Sequence, residues 1–191
     1  MTTLPPYFVI ATEERDAPSF NYLRFLKFYE HIPLHIGTSV PMTSYVPTSE
    51  PARTPFLAGG VLFGHGKICE ELKYDPYFYF HGEEFSSNMR LWTMGYDNFS
   101  PRFCFCYHAY RSRQIHQTDT IAVNDPERDM FLHRRSIERY QVLLGIKQAH
   151  QVLTSSIVEL EKYGLGDIRT VASWEQNFGM DLKNQATAFH A

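Results

Sequence analysis

Residues 80–95 read FHGEEFSSNMRLWTMG. Phe85, Met89 and Trp92 recur at spacings of four and three, the period of one helix face, and Gly95 supplies a stop. Glu83 and Glu84 fall in the first turn, where the helix dipole favours negative charge. A helix is therefore predicted over 83–94. Upstream, 56–63 is apolar and interrupted by Gly59-Gly60, which predicts a strand that something approaches closely. Residues 77–80 form a short aromatic run broken by His81-Gly82. Downstream, 103–107 has the pattern of a buried strand and ends in His108. Strands and a helix in this succession predict a mixed α/β domain.

The flanks differ in composition. Residues 1–54 are rich in Pro, Thr and Ser, with an apolar stretch at 7–11 and a helix expected near 20–30. Pro33, Pro41, Pro47 and Pro51 forbid a long helix after His31 and favour an extended loop. From 125 onward the chain reads as helical. Asp125-Pro126-Glu127 is a cap followed by proline at the first helical position, and Met130, His133, Ile137, Tyr140 and Leu144 share one face. A second helix is expected over 151–163, and a third after Thr170 ending near Gly179. The domain reading is an α/β portion over 1–120 and a helical cover over 121–191.

Composition removes several function classes. With 191 residues, 43% hydrophobic and 15% aromatic, the chain supports a sizeable core and is not a solvated coil. Eighteen basic against 21 acidic side chains give no bulk attraction to phosphate, so no nucleic-acid partner is expected. No apolar run approaches the roughly 18 residues needed to span a bilayer, so no membrane partner is expected either. The first ten residues carry two prolines and no basic residue, unlike a secretory signal. Three cysteines close no disulfide framework, and Cys104 and Cys106 read as strand packing. A cytoplasmic protein is the expectation.

The residues that carry chemistry lie in 56–111. A glycine pair lets a polar ligand reach main-chain amides. Glu83 and Glu84 at a helix N-terminus are expected to stay ionised and accept hydrogen bonds from hydroxyl groups. His108 presents an imidazole at a strand end. Carboxylates, backbone donors and a metal-competent histidine around one crevice are the parts of a sugar-diphosphate site. Other histidines offer less: Pro33 between His31 and His35 rules out a helical metal pair, and His116, His133, His150 and His190 have no ligand spacing. Neighbouring acids on one helix are poorly placed for a glycosidase, which needs two carboxyls about 5–10 Å apart across a cleft.

The segment holding Phe56-Leu57-Ala58-Gly59-Gly60, Tyr74-Asp75-Pro76, Gly82-Glu83-Glu84, Arg90-Leu91-Trp92 and Tyr107-His108 resembles a family of GT-A-type glycosyltransferases. Those enzymes attach N-acetylglucosamine from UDP-GlcNAc to hydroxyproline on a cytoplasmic adaptor of SCF ubiquitin ligases. The segment is more distantly similar to the polypeptide N-acetylgalactosaminyltransferases. Glu161-Lys162-Tyr163-Gly164-Leu165-Gly166 and Gly179-Met180-Asp181-Leu182 look like the family's C-terminal end.

The resemblance implies a GT-A fold with a helical C-terminal extension, a UDP-GlcNAc donor, a protein acceptor and retaining transfer. It places Gly59 and Gly60 beside the donor sugar, Glu83 and Glu84 on the GlcNAc hydroxyls, and Arg111 near the diphosphate. His108 would be a ligand to Mn²⁺ or another divalent cation, and Asp75 a turn residue that shapes the site. One departure stands out: such enzymes carry an Asp-x-Asp or Asp-x-His element before this region, and no Asp-x-Asp occurs here. The chain therefore reads as the C-terminal part of such an enzyme, with self-association expected through an exposed sheet edge. The alternative reading is a non-catalytic sugar- or peptide-binding module derived from the family.

Overall fold

The computed structural model describes residues 2–3, 19–41, 51–59, 62–100 and 125–188. Among them the architecture is mixed α/β, with small sheets set around a central helix. That helix, α2 (Glu83–Thr93), follows a short α1 (Lys67–Glu71). Phe85, Met89 and Trp92 are all buried on it, as their spacing predicts. Ser86, Asn88, Arg90 and Thr93 are buried too, and polar side chains of the helix reach neighbouring segments. Asn88 Nδ2 donates to the Pro55 carbonyl at 2.8 Å, Arg90 Nη1 to the Lys73 carbonyl at 2.8 Å, and Trp92 Nε1 to the Thr170 carbonyl at 3.1 Å. Buried donors satisfied in this way hold neighbouring loops against the helix.

Two more helices complete one core. The first, α3 (Pro126–Leu143), begins as expected: Asp125 accepts from the Arg128 N–H at 3.0 Å and Pro126 occupies the first turn. The second, α4 (Val171–Phe178), has a reciprocal Thr170/Ser173 capping box and ends on left-handed Gly179. Ile137 and Tyr140 of α3 and Trp174 of α4 pack in the same cluster as Phe85, Met89, Phe56 and Phe78. On the shared α3 face Met130 is exposed, because the cluster begins only at the following turns. No described helix is long and apolar enough to cross a membrane.

Four strands of two residues each make one sheet in the order β4-β6-β1-β5: β1 (Thr2–Thr3), β4 (Ala52–Arg53), β5 (Leu62–Phe63) and β6 (Phe99–Ser100). A separate ribbon pairs β2 (Ser19–Tyr29) with β3 (Ile32–Pro41), and β7 (Met180–Asp181) pairs with β8 (Ala186–Thr187).

Several expectations are corrected. The helix expected near 20–30 is strand β2. The stretch is rich in Phe and Tyr and pairs in antiparallel register with 32–41, so cross-strand partners decide its state. Its turn places Glu30 and His31 both at positive φ, 48° and 71°, the sign pattern of a type I′ hairpin. Neither residue is glycine, and the strained turn is held from outside. Tyr140 donates to the His31 carbonyl at 2.9 Å, Gln141 to the Glu30 carbonyl at 3.3 Å, and the His31 N–H to Gln185 at 3.3 Å.

The helix expected over 151–163 is replaced by two 3₁₀ turns, Ala149–Gln151 and Thr154–Ser156, and further turns. Side chains of α3 capture its backbone: Arg139 takes the carbonyls of Ser156 and Val158, and Glu138 takes the Leu153 N–H. Among the described residues of 56–63, where a strand is expected, the ladder covers Leu62–Phe63, and Phe56, Leu57 and Ala58 are buried in irregular backbone. The strand expected over 103–107 lies outside the described residues, while the β7–β8 hairpin was not anticipated.

Candidate functional site

The site is built on the turn that enters α2. Gly82 precedes the helix with φ at +88°, and a Cβ there would stand 3.2 Å from the Phe78 ring and 3.4 Å from Tyr140. Glycine is what lets the chain bend here against the core. The bend places Glu83 and Glu84 in the first helical turn. Just before it, Phe80 is 61% exposed with φ at +133°, a strained conformation for an aromatic residue.

Glu84 reaches across to the loop after Phe56. Its Oε1 accepts a hydrogen bond from the Gly59 N–H at 2.7 Å, and a Cβ at Gly59 would come within 3.1 Å of that oxygen. The other oxygen, Oε2, lies 3.7 Å from His35 Nε2. That separation exceeds a hydrogen bond. Burial also lowers the His35 pKa to about 4, so the ring is neutral at pH 7 and the contact is not an ion pair. His35 stacks on Phe56 with ring centroids 5.0 Å apart. A crevice of about 190 Å³ is lined by Pro33, His35, His81, Gly82, Glu83 and Glu84 among others.

The electrostatics differ from the expectation that both acids stay ionised. Burial first, and the neighbouring Glu84 carboxylate second, push Glu83 up to about 7. Burial raises Glu84 as well, opposed by the hydrogen bond from Gly59. The helix N-terminus does not outweigh desolvation here. At neutral pH Glu83 is divided between acid and carboxylate, able to donate or accept a proton at a hydroxyl group. Beside it, burial and the His133 ring lower His81.

The structure brings Gly59, Glu83 and Glu84 together, and the Gly59 N–H is already engaged by Glu84. Gly60, His108 and Arg111 lie outside the described residues. Asp75 is a turn residue as expected: its Oδ1 accepts from the Tyr77 N–H at 3.0 Å. Sequence reading missed His35 and His81. His35 sits on β3, and its approach to Glu84 depends on a contact across 49 positions that no local spacing signals. Among the described residues no three His, Cys, Asp or Glu side chains converge to hold a metal ion. The described part of the site therefore does not fit a divalent cation by itself.

The sequence profile of the family described as Glycosyltransferase (GlcNAc) matches residues 9–184, nearly the whole chain, and the chain belongs to that family. The family implies a nucleotide-sugar donor and an acceptor. No curated protein and no solved structure matches the chain.

Proposed function

We propose that this member of the Glycosyltransferase (GlcNAc) family transfers N-acetylglucosamine from UDP-GlcNAc to a polypeptide hydroxyl of the hydroxyproline kind. The scaffold would correspond to the C-terminal part of a GT-A fold, and the transfer would retain the anomeric configuration. The observation that carries this reading is the pair Glu83 and Glu84 in the first turn of α2, lining one crevice with His35 and Gly82.

In this reading the two carboxyl groups hold sugar hydroxyls and form no covalent bond. Glu84, anchored on Gly59, offers Oε2 to the crevice, and neutral His35 adds a ring nitrogen able to donate or accept. The bond between the anomeric carbon and the diphosphate oxygen breaks, and its electron pair leaves on UDP. The acceptor oxygen bonds to the same face of the oxocarbenium-like carbon, and its proton passes to the departing diphosphate. Stabilising that charge supplies most of the acceleration. His108 would hold Mn²⁺, which would neutralise diphosphate charge when bound.

In the same reading the protein is cytoplasmic and self-associates through an exposed sheet edge. Light scattering tests the association: a monomer at all concentrations would reject it.

Calorimetric titration of the full chain with UDP-GlcNAc, with and without Mn²⁺, tests the main reading. Saturable heat that disappears in Glu84→Ala is expected, together with transfer of GlcNAc to a hydroxyproline peptide and release of free UDP. His108→Ala should remove the Mn²⁺ dependence. Absence of heat in the wild type rejects the donor. Binding without turnover favours the non-catalytic module, a reading motivated by the missing Asp-x-Asp.

A further inference from the structure

Glu83 is a wall shared by two cavities. One is the polar crevice of about 190 Å³ described above. The other, of about 400 Å³, lies between β5, α1 and α2 and is lined by Leu57, Leu62, Phe63, Ile68, Leu72 and Tyr74, with Glu83 among its few polar groups. Its volume falls within the roughly 300–1,000 Å³ of small-molecule sites. Leu62, Phe63 and Tyr74 are 40%, 73% and 65% exposed, so three large apolar side chains gather at this one place. Apolar groups gathered around a concavity mark a surface that sheds water on binding, whereas scattered ones do not.

We infer that this second cavity receives an apolar side chain flanking the acceptor hydroxyl of a polypeptide substrate, so that acceptor and sugar meet at Glu83 from opposite sides. The inference rests on the proposed transfer to a polypeptide hydroxyl. The two cavities differ as the two substrates differ. A sugar brings hydroxyls, which suit Glu84, His35 and His81. A polypeptide segment brings apolar side chains, which suit Leu57, Ile68 and Leu72.

Charge excludes the donor's nucleotide from the same space. The described lining contains no Lys or Arg and does contain the Glu83 carboxyl. A diphosphate placed there would lose its water with no cation to replace it. An apolar side chain loses nothing comparable and gains the whole area it buries.

The test uses the full chain and short synthetic peptides with one central hydroxyproline and Ala, Leu or Phe at each flanking position. Binding is read by fluorescence anisotropy with and without UDP, beside calorimetry with UDP-GlcNAc. One flanking position is expected to bind about tenfold tighter with Leu or Phe than with Ala. That preference should collapse in Phe63→Ser and Tyr74→Ser, whose side chains are exposed enough to spare the fold, while UDP-GlcNAc heat is unchanged.

No flanking preference, or one that survives both substitutions, overturns the inference, and UDP-GlcNAc heat alongside it leaves the transfer reading standing. Loss of UDP-GlcNAc binding in Phe63→Ser, with peptide binding intact, assigns the cavity to the donor and overturns it. A side-chain preference lost in both variants but with no UDP-GlcNAc heat keeps the cavity as a peptide site and rejects the transfer reading instead.

Discussion

The chain from Asp75 to Glu84 carries acids at both ends, and their surroundings are opposite. Asp75 is 4% exposed and fully matched. Its Oδ2 accepts from Arg139 Nε at 2.7 Å and its Oδ1 from the Tyr77 N–H at 3.0 Å. Arg139 in turn donates to the carbonyls of Ser156 and Val158 and stands 4.8 Å from the Tyr77 ring centroid. Glu83 is only partly buried, with a second carboxyl beside it, and no side chain of opposite charge supports it among the described residues. A buried acid with a partner ties α3 to the turn. A partly buried acid without one is left with chemistry to offer at neutral pH.

Breaking the matched end has the largest expected effect. Arg139→Ala leaves Asp75 buried without its counter-charge and should cost about 3–5 kcal/mol in urea denaturation. A loss under about 1 kcal/mol would mean that water or another donor replaces the guanidinium, and the contrast would fail.

The unmatched end should respond with the opposite sign. Glu83 has a raised pKa, so the folded state holds its proton more tightly than the unfolded chain does. Its contribution is fully present below the ordinary value of 4.5 and is lost as pH rises through about 7. Glu83→Gln should therefore stabilise the protein by about 1–2 kcal/mol at pH 8, allowing for solvent screening, and change little at pH 4. Equal effects at both pH values would contradict the assignment.

Glu138 sharpens the contrast. Burial alone would raise it, but hydrogen bonds from the Leu153 N–H, Arg134 and Ser156 bring it below its ordinary value. Its contribution is present above pH 4.5 and is lost as pH falls through the lowered value. Melting followed from pH 8 to 3 should thus pass through a maximum on the acid side of neutrality, and Glu138→Gln should flatten only the acid limb. The smallest effect is expected far from both ends: Thr170→Ala removes the α4 cap and should cost about 1 kcal/mol at any pH in that range.

Much of the helical scaffold was legible because its signals are local. Phe85, Met89 and Trp92 mark the core face of α2, Asp125 and Pro126 open α3, and Thr170 and Gly179 bound α4. The β2–β3 ribbon was not legible, since an aromatic-rich stretch becomes a strand only when its partner, 32–41, arrives. The turns over 151–163 were hidden for a related reason: Arg139 and Glu138 on another element take the backbone groups that a helix would have used. Of the candidate site, Glu83, Glu84 and Gly59 could be named from their pattern. His35, 49 positions before Glu84, could not.

Which residues turn the chain, cap its helices and carry its carboxyl groups follows from local sequence, because each depends on neighbours within a few positions. Long-range packing is what makes Glu84 grip Gly59, sets His35 beside it as a neutral ring, and pushes Glu83 up to about 7 between two cavities. Those properties come from desolvation and from approach by distant segments, and neither exists until the core has closed.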